Sequence, residues 1–163
     1  YSQMGEGSTF EILFPAQEPA AAPAATLEIP IPTGSESILF VDDETMIVDI
    51  VQRMLESLGY RVTAKTSAME ALDVFKTDPD SFDLVVTDMT MPKMTGLDLS
   101  EKIFQIRPDF PIVLCTGFDV TMNEEKIAEH GLQDIIYKPI LRRNMATVIR
   151  KVLDSCKATK GDN

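Results

Sequence analysis

Four short apolar runs in this chain each end on, or lead straight into, a side chain that carries chemistry. Ile38-Leu39-Phe40-Val41 delivers Asp42-Asp43-Glu44, Leu84-Val85-Val86 leads through Thr87 to Asp88, Ile112-Val113-Leu114-Cys115 ends on Thr116, and Ile135-Ile136-Tyr137 is followed by Lys138-Pro139. Short continuous apolar runs of this kind read as strands of a buried parallel sheet. In an open parallel sheet, ligand chemistry gathers at the carboxyl ends of the strands. The four polar ends are therefore expected to meet. Neighbouring carboxylates repel one another, and a hard divalent ion with oxygen ligands relieves that repulsion.

Between the strands the apolar residues fall at helical spacing. Strand one spans about 37–41, and a helix follows over 45–58, with Met46, Ile47, Ile50, Val51, Met54, Leu55 and Leu58 as its stripe and Gly59 as its stop. Strand two covers about 61–66; Ser67 with Glu70 reads as a capping box for a helix to Thr77, ended by Asp78-Pro79. Strand three ends at Asp88, a helix covers 96–105, strand four ends at Thr116, a shorter helix covers 123–130, strand five ends at Tyr137 and a last helix covers 141–156. Strict alternation of five strands and five helices predicts a flavodoxin-like, doubly wound (βα)5 parallel sheet in the order 2-1-3-4-5. Its switch point, between strands one and three, would hold Asp42, Asp43 and Asp88.

Composition removes several functions. A net charge of -11 with no basic run argues against binding a phosphate backbone, which needs a cationic face. Two cysteines, Cys115 inside an apolar run and Cys156 near the far end, do not make a disulfide framework and suit a reducing, cytoplasmic setting. No stretch of about 18 apolar residues suggests a bilayer span; a membrane-bound parent protein stays compatible with this. Residues 15 to 32 are dominated by Pro and Ala, which favours extended polyproline II and reads as a linker over 15–34; a disordered tail is the alternative. Residues 158–163 read as a flexible tail.

The segment from residue 35 to 157 resembles a response-regulator receiver domain of two-component signalling. The resemblance rests on Asp42-Asp43, on Asp88 with the following Met91-Pro92-Lys93-Met94-Thr95-Gly96, on Thr116-Gly117 and on Lys138-Pro139, in order and at strand ends. It implies that Asp88 takes a phosphoryl group from a phosphohistidine, and that Mg²⁺ (or Mn²⁺) is held by Asp43, Asp88 and the backbone carbonyl of Thr90, with Asp42 acting mainly through water. It also implies that Lys138 meets a phosphoryl oxygen beside a cis Pro139, that the Thr116 hydroxyl swings toward the new phosphate, and that Gly117 leaves room for it. Three residues before the lysine, where many receivers carry an aromatic, stands Ile135; whether Tyr137, of the same strand parity, replaces it is left open. Phe118, two positions after Thr116, is a bulky apolar group expected to hinder an attacking water and slow the loss of phosphate, which an acyl-phosphate half-life measured in Mg²⁺ would test.

The start of the chain carries a second, shorter resemblance. Gly5-Glu6-Gly7-Ser8-Thr9-Phe10-Glu11-Ile12-Leu13-Phe14-Pro15 is similar to the last glycine box and closing strand of a sensor histidine kinase's ATP-binding domain, so residues 1–14 read as its remnant. An incidental strand-like tail is the alternative. The first reading makes the chain the C-terminal receiver of a hybrid histidine kinase, with the kinase phosphohistidine domain and a histidine phosphotransfer protein as partners. The rest of the ATP-binding elements are absent, and the sole histidine, His130, sits before Gly131 in a capping position, so no ATP hydrolysis is expected. An unpaired strand in 9–14 would seek a partner, either a sheet edge or the same strand of another copy, which in the second case predicts a dimer unless light scattering finds a monomer. Two rivals remain. One is a stand-alone single-domain regulator acting by target binding. The other is a metal-dependent phosphatase, disfavoured because Thr90 stands where a second aspartate would be expected.

Overall fold

Ile38–Val41, Leu84–Asp88 and Ile112–Thr116 are buried along their whole length, as expected of strands covered on both faces. The computed structural model describes residues 2–3, 5, 7–13, 30–117 and 129–160, and the chain divides into two units, 1–30 and 31–163.

In the first unit, β1 (Ser2–Gln3) pairs antiparallel with β2 (Gly7–Ser8). Gly5 and Gly7 have φ of 87° and 93°, a backbone region that suits glycine. The strand expected over 10–14 differs: residues 9–13 carry no strand, and Phe10, Ile12 and Leu13 are exposed. Local apolar content alone does not decide a strand, because strand propensity depends strongly on tertiary context.

The second unit contains β3 (Ser37–Val41), β4 (Arg61–Lys65), β5 (Leu84–Asp88), β6 (Ile112–Thr116) and β7 (Asp134–Tyr137). They form one parallel sheet in the order β4-β3-β5-β6-β7, which is the expected 2-1-3-4-5 counted within this unit. Helices α1 (Thr45–Glu56), α2 (Ala68–Thr77), α3 (Gly96–Ile106) and α4 (Arg142–Lys160) cover it. Strand alternation sends Ile38, Phe40, Val86 and Cys115 to one face, where they pack with Val48, Val51 and Leu55 of α1 and Ile149 and Leu153 of α4. Leu39, Val41, Val85 and Leu114 go to the other, against Leu72 and Phe75 of α2 and Leu99 and Ile103 of α3. Each fully buried Leu or Phe contributes about 2 kcal/mol by leaving water, so both layers resist slippage of the sheet.

Helix ends follow local chemistry, with one exchange. After α1, the Tyr60 amide donates to the Leu55 carbonyl (3.2 Å) and the Gly59 amide to Glu56 (2.9 Å), with Gly59 at φ 96°, a Schellman stop at the glycine expected to supply it. The capping box expected at Ser67 and Glu70 does not form: the Ser67 side chain makes no cap bond. One forms instead at α3, where the Asp98 amide donates to Thr95 Oγ1 (3.1 Å) and the Thr95 amide donates to Asp98 Oδ2 (2.9 Å). The helix expected over 123–130 lies outside the described residues except at its end, where Glu129 is helical, and Phe118 lies outside them altogether. Helix α4 runs to Lys160, taking in residues first read as tail.

The second unit also takes in residues 31–34, which the sequence assigns to the linker. Ile31 packs on the α1–α4 side of the core, and the Gly34 amide donates to the Leu58 carbonyl (3.1 Å). A Cβ on Gly34 would lie 2.3 Å from the Tyr60 ring, and one on Gly59 would lie 2.5 Å from the Gly34 carbonyl. The two glycines thus let two backbones interlock. Beside them the buried Glu36 accepts from Arg150 through both guanidinium ends (2.9 and 3.1 Å), from Lys157 Nζ (2.6 Å) and from the Ser35 amide (3.0 Å). These bonds tie the chain's entry into the domain to the last turns of α4.

Candidate functional site

Parallel register carries the strand ends to one edge of the sheet. Val41 pairs with Thr87, Asp88 with Cys115 and Thr116 with Tyr137. The ladder continues one step past the strands, where the Met89 amide donates to the Cys115 carbonyl (2.8 Å) and the Lys138 amide to Thr116 (2.8 Å). The Asp42 amide likewise donates to the Lys65 carbonyl at 3.2 Å.

At that edge Lys138 Nζ donates to Asp42 Oδ2 at 2.8 Å and to Asp88 Oδ1 at 2.6 Å. Asp42 has no exposed surface and Asp88 is 5% exposed, so two carboxylates removed from water share one ammonium. The remaining oxygens are held alike. Asp42 Oδ1 accepts from the Glu44 amide (3.0 Å) and Asp88 Oδ2 from the Thr90 amide (2.7 Å), each an Asx turn closed two residues on. Buried charges of this sort persist only when paired and hydrogen-bonded. Burial alone would lower the Lys138 ammonium, but its hydrogen bonds to Asp42 and Asp88 outweigh that and hold it above the ordinary lysine range.

The other expected residues stand around this cluster. Thr116 is buried, its hydroxyl donating to the Gly117 carbonyl at 3.3 Å, and among the described residues nothing lies within 4 Å of a Cβ built on Gly117. The Lys138–Pro139 peptide is cis. Asp43 is exposed and outside the hydrogen-bonded set, whereas Thr90 joins that set through its amide, which donates to Asp88 Oδ2. Ile135 is buried on the α2–α3 side, while Tyr137, at the strand's end, is 40% exposed. His130 is exposed in the turn before Gly131, whose φ is 69°.

Three features of the site were not read from the sequence. The amides of Glu44 and Thr90 carry no signal, because every residue but proline has one. Gly96, seen only as part of a motif, touches the Asp88 backbone: a Cβ there would lie 2.3 Å from the Asp88 carbonyl oxygen.

Among the described residues, no three His, Cys, Asp or Glu side chains are gathered so as to hold a metal ion. The donor chemistry nonetheless fits a hard divalent cation. Two buried carboxylates face a single positive charge, which leaves the cluster negative, and the ligands on offer are all oxygens. No helix among the described residues is long and apolar enough to cross a membrane.

Comparison with known proteins agrees with this geometry. The family model for the response regulator receiver domain matches residues 38–150. The aerobic respiration control sensor protein ArcB of Escherichia coli (strain K12) is 30% identical over 157 residues, covering 94% of this chain and 20% of that protein. The sensor kinase CckA of Brucella abortus (strain 2308) is 28% identical over 162 residues, covering 94% and 17%. The chain thus spans about a fifth of the length of these curated relatives. Among solved structures, a response regulator receiver domain protein from Clostridium thermocellum superposes with a TM-score of 0.72 at 29% identity, covering 76% of this chain and 98% of that one. A CheY-like receiver domain protein from Methanospirillum hungatei JF-1 gives 0.69 at 31%, covering 77% and 99%. The sheet order, the acidic pair and lysine at its edge, and the matched residues 38–150 have one common explanation: this chain belongs to the response regulator receiver domain family of two-component signalling.

Proposed function

We propose that Asp88 is the phosphoacceptor of a two-component phosphorelay. The observation that carries this is the Asp88 carboxylate, buried at the sheet edge yet held at one oxygen by Lys138 and at the other by the Thr90 amide. An oxygen of Asp88 forms the bond to phosphorus as the N–P bond of a phosphohistidine breaks, and the imidazole leaves with the electron pair. Transfer of this kind is mainly positioning and charge neutralisation. Lys138, already on Asp88, is placed to meet an incoming phosphoryl oxygen, and Thr116 on the adjacent strand offers a hydroxyl donor. Asp42, Asp43, Asp88 and the Thr90 carbonyl would hold Mg²⁺ or Mn²⁺, which when bound supplies positive charge against the phosphoryl oxygens.

The parent protein is a cytoplasmic-facing hybrid histidine kinase in this reading. ArcB and CckA align over 94% of the chain, which cannot be reached without most of the 34 residues before the receiver, whereas the two-component response regulator ARR14 of Arabidopsis thaliana aligns over 71%. This supports reading the segment before the receiver as the end of a sensor kinase core and its linker. The donor would be the parent's phosphohistidine domain, and a histidine phosphotransfer protein a further partner.

Incubation with acetyl phosphate and Mg²⁺, followed by intact mass measurement, is expected to add one phosphoryl group to the natural chain and none to Asp88→Asn. Equal labelling of both would remove Asp88 from the role.

A further inference from the structure

Gly96 opens α3, and its amide donates to the Met89 carbonyl at 3.0 Å, so the first turn of the helix rests against the residue that follows Asp88. The contact is closer still at Asp88 itself. A Cβ built on Gly96 would lie 2.3 Å from the Asp88 carbonyl oxygen, 3.1 Å from its carbonyl carbon and 3.1 Å from Leu114 Cδ2. A flexible side chain can swing away from such a clash, but a backbone carbonyl at the end of a central strand cannot. Nor does the φ of Gly96 require glycine, since it is not among the positive-φ glycines. The requirement is for space.

That space bears on the site because Asp88 is fixed from both sides. Its side chain reaches Lys138 and the Thr90 amide through bonds of 2.6 and 2.7 Å, which have little slack. Relieving the clash requires about 1 Å of movement between α3 and the end of β5. Either the helix retreats and takes the 89–95 loop with it, or the Asp88 backbone advances; both change the geometry at the carboxylate.

We infer that Gly96 is a positioning residue for Asp88, setting the depth at which the strand end presents its carboxylate to Lys138 and to the Thr90 amide. The inference rests on the reading of Asp88 as phosphoacceptor for its consequence, but not for its geometry. An error of about 1 Å in placement can slow a reaction on the order of 100-fold, so the absence of one methyl group at position 96 would govern the rate of phosphoryl acceptance.

The test is Gly96→Ala, made alone and in a Lys93→Gly background. Lys93 holds a φ of 68° in the same loop, a region that costs a non-glycine residue, so the second background offsets part of any lost stability, with Lys93→Gly alone as its reference. Two readouts are taken: the chemical shift of the Thr90 amide proton, which reports its bond to Asp88 without phosphorylation, and the initial rate of labelling by acetyl phosphate in Mg²⁺. Ile103→Val, further along α3, is the control for simple destabilisation. The expected result is an upfield Thr90 amide and labelling slowed at least about tenfold for Gly96→Ala, with Ile103→Val like the natural chain in both. An unmoved Thr90 amide in Gly96→Ala, or the same shift in Ile103→Val, overturns the inference. If the amide moves while Asp88→Asn still takes up phosphate, the positioning stands and the assignment of Asp88 as acceptor fails.

Discussion

Cys115 lies one strand over from Asp88 and pairs with it in register, yet it is fully buried, and burial pushes its thiol up to about 12 although Lys138 pulls the other way. A thiol so protected reacts poorly, because the thiolate is the nucleophile. Iodoacetamide at about pH 8 is expected to leave Cys115 unmodified in the folded chain and to modify it in urea, as peptide mass mapping would show; rapid labelling of the native protein would contradict the burial. Side chains at this scale were largely legible from sequence. Asp42, Asp88, Thr116 and Lys138 each stand at the end of an apolar run, and a parallel sheet brings such ends together. What holds them was not legible. The amides of Glu44 and Thr90 are backbone donors with no residue code.

The helices separate pattern from geometry. Ser67-Ala-Met-Glu70 and Thr95-Gly-Leu-Asp98 have the same polar spacing, and only the second closes into a capping box. Thr95→Ala should lower stability by about 1 kcal/mol in urea unfolding, the usual cost of a lost N-cap, whereas Ser67→Ala should cost much less; similar losses at both positions would contradict the assigned caps. The stripe of α1 was readable only in part: Val51, Leu55 and Leu58 are buried and Ile47 and Met54 pack on the core, whereas Met46 and Ile50 are exposed and Val48, outside the expected stripe, is buried. The apolar strands were readable because a strand covered on both faces is apolar along its length. The segment 9–13 carries apolar residues without a strand, since strand pairing is a tertiary contact that local composition does not reveal.

At the scale of the second unit, Glu36 joins its beginning to its end. Arg150 and then Lys157 hold its carboxyl down to about 2 from 4.5, against the opposing effect of burial. A carboxylate whose folded value is depressed stabilises the fold above its unfolded value and loses that contribution as pH falls toward the folded one. Here the contribution, reduced by solvent screening around the exposed Lys157 to roughly 1 kcal/mol, is complete above about pH 5 and fades toward pH 2. The stability gap between the natural chain and Glu36→Gln should therefore narrow as urea unfolding is repeated from about pH 5 down to about pH 3; a constant gap would mean that the ion pairs add nothing. The sequence did not disclose this junction, because Glu36 lies in no apolar pattern and its partners are more than a hundred positions away.

The interlocked glycines beside it have a mechanical corollary. With the Gly34 carbonyl seated against Gly59 and its amide bonded to Leu58, traction applied at residue 31 would be shared at once by the α1–β4 corner and the C-terminal helix. The strand leading to Asp42 would not be peeled away alone, so a tug from upstream would load the domain as one body and leave the acidic edge in register.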